Sequence, residues 1–251
     1  MSNGSLYTKI QNKVAIVEFY HPASNSLPSE LLSRLEQTFI ELDTNDEVHV
    51  VVLRSEKFST FCAGASFNEL IAIESLEEGK KFFSGFAKVI NAMRKCRKPI
   101  IGRIQGKSVG GGVGLIAACD YCLAVEASSI KLSELSIGIG PFVIAPVVVH
   151  KIGVAALTQL TLEPNSWKSA YWAKEKGLFA HVYLTISELD DEVEILADKL
   201  ASYNPEALYE MKKILWEGTD HWDDLLMERA AVSGKLVLSD FTKEALKKFR
   251  K

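Results

Sequence analysis

The chain has 251 residues, a formal net charge of −3 and 47% hydrophobic residues. This near-neutral balance gives no electrostatic reason to expect a nucleic acid or an anionic membrane as a partner. No apolar run approaches the ~20 residues that span a bilayer, and the N-terminus lacks a basic start followed by an apolar segment. We therefore expect a cytoplasmic protein with no membrane contact. The length suffices for a substantial core, in one large domain or in a domain with an appendage.

The first half of the chain predicts alternating strands and helices. Residues 7–19 alternate like a hairpin with its turn at Asn12 and Lys13, and residues 30–43 have the apolar spacing of a helix that Ser29 can cap. The apolar run at 48–54 is typical of a strand buried on both faces. Strand, helix and strand in this order indicate an α/β fold.

Two glycine-containing turns each follow a predicted strand. The first, at 61–70, reads FCAGASFNEL, and the second, at 106–120, reads GKSVGGGVGLIAACD and follows a strand at 100–104; a helix at 77–96 lies between them. The second turn leads into a helix whose first N–H groups are free, which favours a bound phosphate or a developing oxyanion. It lacks both the P-loop lysine and the spacing of a dinucleotide fingerprint.

The second half predicts strands at 121–125 and 129–132, a glycine- and proline-rich loop at 135–146, and then mostly helices. The predicted helices are 147–152, 155–162, 166–176, 186–203, 205–216, 223–238 and 242–249. The order of strands, turns and helices indicates stacked ββα units. The apolar stripes of the last two helices, which include Phe249, need a cover from the core or from another subunit.

The four cysteines are too few and too irregularly spaced for a disulfide framework. Cys119 and Cys122 have the spacing of a metal or redox pair, but no second pair of Cys or His completes a tetrahedral site. We therefore expect buried structural thiols and no bound metal.

Taken in order, these motifs resemble the crotonase, or enoyl-CoA hydratase/isomerase, superfamily. The matching pieces are the loop 25–27, the turn 61–65, the segment 106–120, the step Ser133-Glu134 with Gly138 and Pro141, and the tail 239–244. The resemblance implies a crotonase-like ββα spiral core over 1–190 and a helical region over 191–251 that forms trimers, often paired into hexamers. The segments around 110–120 and 132–149 look like the bacterial 3-methylglutaconyl-CoA hydratase branch of leucine breakdown.

The resemblance also implies roles for individual residues. In this family, two backbone N–H groups hold the thioester oxygen of an acyl-CoA as it becomes an enolate, and by position they are those of Ala65 and Gly111. The reaction needs no separate cofactor, because CoA is part of the substrate. CoA is expected to contact a set of small or aromatic residues. These are Ala23, Ser24, Ala63, Ser66 and Phe67, although the family usually has Asp at the Ser66 position.

The acid/base groups depart from the hydratase pattern, which has two glutamates. The second matches Glu134, whereas the first falls on Gly114, which has no side chain. Hydration would then use Glu134 alone or with a helper such as Glu69, while a single glutamate suffices for a Δ3,Δ2-enoyl-CoA isomerase. A third hypothesis is an acyl-CoA-binding protein without chemistry, or a dehydratase or decarboxylase acting on an acyl carrier.

Overall fold

The computed structural model describes residues 4–56 and 59–248 and contains two β-sheets surrounded by helices. The six-stranded sheet consists of β1 (Ser5–Gln11), β2 (Val14–Tyr20), β3 (Val50–Ser55), β5 (Ile100–Ile104), β7 (Tyr121–Val125) and β10 (His181–Tyr183), in that spatial order. The four-stranded sheet consists of β4 (Thr60–Cys62), β6 (Lys107–Val109), β8 (Ser129–Lys131) and β9 (Lys168–Ser169).

The helices fill the connections and the C-terminal part. They are α1 (Ser29–Thr44), α2 (Phe67–Ile71), α3 (Leu76–Lys95), α4 (Gly111–Ala118), α5 (Ala145–Leu162), α6 (Ala170–Glu175), α7 (Ile186–Ala201), α8 (Pro205–Leu215), α9 (Trp222–Leu236) and α10 (Asp240–Lys247). A 3₁₀ turn spans Glu134–Ile137. The mixed α/β class is therefore confirmed.

The N-terminal hairpin and the repeating units follow the sequence pattern. Strands β1 and β2 pair antiparallel around Asn12 and Lys13, which take left-handed φ values of 51° and 66°. Each unit then gives one strand to each sheet, because β3, β5 and β7 pair in parallel in the large sheet while β4, β6 and β8 pair in parallel in the small one. The carboxyl ends of β4, β6 and β8 consequently lie side by side.

Several local predictions were wrong. Ser29 does not cap α1, whose N-cap is Pro28; its N–H and hydroxyl donate to the Glu69 carboxylate instead. In contrast, the two helices predicted at 147–152 and 155–162 are confirmed, because α5 is broken between them at Gly153, which has φ 78° and ψ 165°. The predicted helix 166–176 begins as strand β9, and β4, β6 and β10 were not predicted, because strands of two or three residues show little periodicity.

The core lies mainly between the large sheet and helices α1, α3 and α4. Phe19, Leu35, Phe39 and Met93 are among its fully buried side chains. On the other face of the large sheet, α7 packs its stripe of Leu189, Val193, Ala197 and Ala201 against the strands. The boundary predicted at residue 190 falls inside this helix and stays a prediction.

The C-terminal helices fold back onto their own chain. Helix α9 packs so closely on α3 that a Cβ atom at Gly79 would lie only 2.8 Å from the Cα atom of Gly234. Helix α10 contacts the 3₁₀ turn, with the Phe241 ring 2.5 Å from the Cβ position of Gly138. The core thus covers much of the predicted apolar stripe, whose last member, Phe249, lies outside the described residues.

Helix α5 is long and apolar enough to match a membrane span by length and composition alone. Its helical backbone is interrupted at Gly153, and Lys151 donates to the carbonyl oxygens of Cys119 and Asp120. Val147, Val148 and Leu160 of the same helix pack into the main core. These are the contacts of a helix that packs on the protein itself.

All four cysteines are buried free thiols, as predicted. The Cys119 and Cys122 sulfurs both lie against Gly102 of β5, at 3.1 Å and 2.8 Å from the Cβ position of that glycine. Burial raises the pKa of Cys119, which keeps its thiol protonated. Cys119 and Cys122 therefore act as packing residues against β5.

Candidate active site

A cavity of about 170 Å³ opens where the carboxyl ends of β4, β6 and β8 meet. Its floor is formed by the turns that follow those strands, and its walls come from α3, α9 and the segment before α5. Most of the lining is apolar; the residues are Ala63, Gly64, Ala65, Phe67, Leu70, Phe82, Phe83, Phe86, Val109, Gly110, Gly111, Ser133, Glu134, Ile137, Ile139, Gly140, Pro141, Phe142, Val143, Ile144 and Ser233.

The first turn presents the N–H of Ala65 to this cavity. Gly64 takes a φ of 87°, which a residue with a Cβ rarely adopts. Leu27 pairs beside the turn, since its N–H donates to the Gly64 carbonyl at 2.8 Å and its carbonyl accepts from the Ser66 N–H at 3.3 Å. The N–H of Ala65 has no acceptor among the described residues and is left for a ligand.

The second turn presents the N–H of Gly111 beside the first. Gly110 has a φ of 55°, and its N–H donates to the Lys131 carbonyl at 3.0 Å, which ties the turn to β8. Gly111 is the first residue of α4, and within the described chain its N–H has no acceptor. This N–H lies 3.5 Å from the Cβ position of Gly64, so the two turns are in contact.

Glu134 begins the 3₁₀ turn after β8 and points its carboxyl group at the second turn. Its Oε1 lies 2.9 Å from the Cβ position of Gly110, so any larger residue there would collide with the carboxylate. Its Oε2 is buried and has no hydrogen-bond partner among the described residues. Burial in this apolar cavity raises the pKa of Glu134 to about 7.

A carboxyl group with a pKa near neutrality exchanges its proton readily in both directions. Because two unpaired N–H groups line the same cavity, the site can stabilise an oxyanion while one carboxyl group moves a proton nearby. The resemblance had placed Glu134, Ala65 and Gly111 at such a site, and the structure brings all three to one cavity.

The residues predicted to contact CoA lie at three places in the structure. Ala63 and Phe67 line the cavity, whereas Ala23 and Ser24 lie on the exposed loop beside it, where the Ser24 carbonyl accepts from the Ala63 N–H at 3.2 Å. The Ser66 hydroxyl caps α2 by accepting from the Glu69 N–H at 3.4 Å. The contacts of these residues with CoA stay predictions.

The space beside Gly114 is filled by Ile144. A Cβ atom at Gly114 would lie 2.4 Å from Cγ2 of Ile144, which is itself 3% exposed and lines the cavity. A glutamate side chain at position 114 has no room in this packing. The helper considered for Glu134 is also elsewhere, since the Glu69 carboxylate accepts hydrogen bonds from Ser29 and does not line the cavity.

Sequence reasoning missed the walls of the cavity. Phe82, Phe83 and Phe86 of α3 have the helical spacing of a buried stripe, which is typical of a core helix, yet all three line the cavity. Ile144 and Ser233 come from elements far along the chain, and no local signal distinguishes them. In the part of the chain that the structure describes, no group of three or more His, Cys, Asp or Glu could hold a metal ion.

Comparison with known proteins places these features in a family. A family model described as "Enoyl-CoA hydratase/isomerase" matches residues 9–249. The chain is 31% identical over 206 residues to a protein of Arabidopsis thaliana named "Delta(3,5)-Delta(2,4)-dienoyl-CoA isomerase, peroxisomal", covering 76% of this chain and 72% of that one. It is 27% identical over 241 residues to the "Probable enoyl-CoA hydratase" of Bacillus subtilis, covering 94% and 92% of the two chains.

A shorter match and a solved structure extend this comparison. The "Methylglutaconyl-CoA hydratase, mitochondrial" of Rattus norvegicus is 35% identical over 117 residues, which cover 47% of this chain and 37% of the relative. The crystal structure of an enoyl-CoA hydratase from Bacillus halodurans superposes with a TM-score of 0.90 at 20% identity and covers 97% of this chain and 99% of the other. At this level of identity the structural match shows the fold.

Proposed function

Because this chain belongs to the enoyl-CoA hydratase/isomerase family, we propose that it adds water to the α,β double bond of an enoyl-CoA thioester, or removes water in reverse. The observation that carries the proposal is the Glu134 carboxyl group, whose buried Oε2 has no partner among the described residues, in one cavity with the Ala65 and Gly111 N–H groups, which have no acceptor there either. Such a site pairs one proton-transfer group with an oxyanion hole.

In this proposal the thioester oxygen accepts hydrogen bonds from the Ala65 and Gly111 N–H groups. As an enolate forms, that oxygen gains negative charge and both hydrogen bonds strengthen. Loss of one such donor typically costs about 100- to 1,000-fold in turnover. The donors are held rigidly, because one turn pairs with Leu27 and the other with Lys131.

The proton steps need only Glu134. As a carboxylate, it accepts a proton from water while the water oxygen bonds to the β-carbon and the π electrons move to the thioester oxygen. The protonated Glu134 then returns that proton to the α-carbon as the enolate collapses, so that H and OH have been added overall. A pKa of about 7 supports both steps at neutral pH.

Isomerisation of a double bond is the second candidate, and the packing at Gly114 favours it. Since Ile144 fills the space where a second carboxylate would lie, one acid/base group serves the cavity. One group can take a proton from the α-carbon of a 3-enoyl-CoA and return it to the γ-carbon through the same enolate. The Arabidopsis relative named as a dienoyl-CoA isomerase adds support.

The acyl group is a separate part of the proposal. We propose 3-methylglutaconyl-CoA as the first substrate to test, supported by the relative named methylglutaconyl-CoA hydratase and by the motifs around 110–120 and 132–149. Among the described lining residues no Lys or Arg faces the far carboxylate of that substrate. The acyl preference is therefore measured by comparing thioesters with different acyl groups.

Product identification with crotonyl-CoA, 3-hexenoyl-CoA and 3-methylglutaconyl-CoA tests the proposal. We expect hydroxyacyl products from crotonyl-CoA or 3-methylglutaconyl-CoA. Migration of the double bond in 3-hexenoyl-CoA without any hydroxyacyl product would replace hydration by isomerisation. Tight binding of all three thioesters without turnover would reject both reactions and support a binding protein or an acyl-carrier enzyme.

We also propose a homotrimer, or a hexamer of two trimers, formed with the C-terminal helices. The support is the exposed apolar face of α8, where Met211, Ile214 and Leu215 are about half exposed or more. Sedimentation velocity is expected to give three or six times the mass of one chain. A monomer with full activity would reject this assembly.

A further inference from the structure

One wall of the cavity carries a hydroxyl group, that of Ser233, which has no role in the proposed reaction. Among the described lining residues, the polar side chains are those of Glu134, Ser133 and Ser233, and the rest are glycine or apolar. Ser133 precedes Glu134 directly in sequence, whereas Ser233 comes from α9 in the C-terminal part. Ser233 therefore places a polar group at a second location in the cavity.

Ser233 stands in the buried stripe of α9. Trp222, Leu226 and Ala230 precede it at helical spacing on the same buried face, and Ser233 itself is 1% exposed. Its hydroxyl forms no hydrogen bond with the described residues, not even with the carbonyl one turn earlier that buried serines often use. Because Ser233 lines the cavity, this hydroxyl is available to a polar group of a ligand.

The place where α9 contacts α3 indicates how far Ser233 lies from the oxyanion donors. The Phe86 ring lies 2.4 Å from the Cβ position of Gly111, and Gly79, two turns earlier on α3, contacts Gly234. Seven residues of helix rise about 10 Å. The two contact points are therefore about 10 Å apart along α3, which sets the order of magnitude of the distance between the Ser233 hydroxyl and the Gly111 donor.

We propose that Ser233 is a specificity-determining residue that hydrogen-bonds an oxygen atom at the far end of the acyl group. This inference rests on the proposed acyl-CoA function of the cavity. A chain of about five carbons reaches most of the way from the thioester oxygen, and a hydrogen bond of ~2.8 Å completes the distance. The preferred substrate class is thus an enoyl-CoA with a hydroxyl, carbonyl or carboxylate oxygen near its fifth carbon.

Three five-carbon thioesters separate the possible oxygens: 2-pentenoyl-CoA, 5-hydroxy-2-pentenoyl-CoA and glutaconyl-CoA. We expect the wild-type kcat/KM to be at least ~10-fold higher for one oxygen-bearing substrate than for 2-pentenoyl-CoA. Ser233→Ala should remove that preference, so that the ratio of kcat/KM for the oxygen-bearing substrate to kcat/KM for 2-pentenoyl-CoA falls to within about twofold of one. The hydroxyl and carboxylate arms identify which oxygen is read.

Ser84→Ala is the matched control, because Ser84 is also buried, lies on α3 and donates to the Lys81 carbonyl in its own helix. It should leave the substrate preference unchanged. A wild-type preference for 2-pentenoyl-CoA over both other substrates would overturn the proposal. So would an equal loss on all three substrates in Ser233→Ala.

Binding of the saturated analogues valeryl-CoA, 5-hydroxyvaleryl-CoA and glutaryl-CoA, measured by calorimetry, separates this proposal from the proposed reaction. If no enoyl-CoA turns over, a Ser233-dependent preference in binding upholds the role of Ser233 and rejects the reaction. Equal binding of the three analogues by wild type and Ser233→Ala rejects the role of Ser233. Failure to bind any of the analogues rejects both.

Discussion

Two buried carboxylates, Asp120 and Glu134, differ in how their oxygens are used. Asp120 is fully engaged: Oδ2 accepts from the Ile100 N–H at 2.7 Å and pairs with the Lys212 ammonium at 2.9 Å, and Oδ1 accepts from the Trp216 indole at 2.7 Å. Glu134 leaves its buried Oε2 without any partner among the described residues.

This difference separates a structural group from a chemical one. The Asp120 carboxylate joins β5 to α8 and its flanking tryptophan, so that its lone pairs hold the C-terminal part to the core. The Glu134 carboxyl group lies in an apolar cavity, where burial raises its pKa to about 7 and its Oε2 is left for a substrate. Substitutions at and around the two carboxylates test whether Asp120 is structural because of its partners and Glu134 is chemical because it is buried without them.

The largest effect is expected for removal of the engaged carboxylate. Asp120→Ala leaves the Lys212 ammonium, whose side chain is 4% exposed, without a counter-charge and with only its hydrogen bonds to the Met93 and Lys98 carbonyl oxygens. We expect the free energy of unfolding to fall by about 3–5 kcal/mol in denaturant titrations. Glu210→Ala, which removes the exposed partner of Lys213, should cost less than ~1 kcal/mol. Similar values for the two variants would mean that Asp120 has no structural role.

The next largest loss of stability is expected when a carboxylate is introduced at Gly114, where it has neither space nor a partner. Gly114→Glu would drive its side chain into Ile144, and we expect a loss of about 2–4 kcal/mol in the free energy of unfolding. Adding Ile144→Ala opens that space and should recover part of the loss. Thermal unfolding of both variants and of Ile144→Ala alone checks this coupling. Strict additivity of the two changes would show that Ile144 does not restrict position 114.

A smaller effect of opposite sign is expected for Glu134→Gln. The pKa of Glu134 is raised in the folded state, so folding favours the protonated form, and stability falls as pH rises between about 4.5 and 7. Glutamine carries no charge to bury, and the variant should be more stable than wild type by about 1–3 kcal/mol at pH 8 and nearly equal to it at pH 4.5. Denaturant titrations at the two pH values measure this. A variant that is less stable at pH 8 would contradict the account of Glu134.

The sequence was sufficient for features that depend on local periodicity. The alternation before and after Asn12 and Lys13 predicted the hairpin, and the strand predicted at 121–125 has the bounds of β7. The two glycine turns were also recognisable, because a strand, a glycine and a helix follow one another in each. These signals lie within a few residues of one another.

The sequence was insufficient where partners come from distant elements. Glu69 was a candidate helper for Glu134, yet its carboxylate accepts hydrogen bonds from Ser29. Ser29 therefore does not cap α1 as predicted. Ile144 at Gly114 and Ser233 at the cavity depend on helix packing that no local pattern encodes. Glu134 could be located by resemblance, but its unpartnered Oε2 and raised pKa are consequences of the tertiary structure.

The most direct test of the central claim is the turnover of Glu134→Gln on whichever enoyl-CoA the wild type converts. The account predicts a loss of at least ~100-fold in kcat, because the one acid/base group in the cavity is gone, with thioester affinity retained within a few-fold. Unchanged turnover, in a variant whose folding and affinity match the wild type, would contradict it.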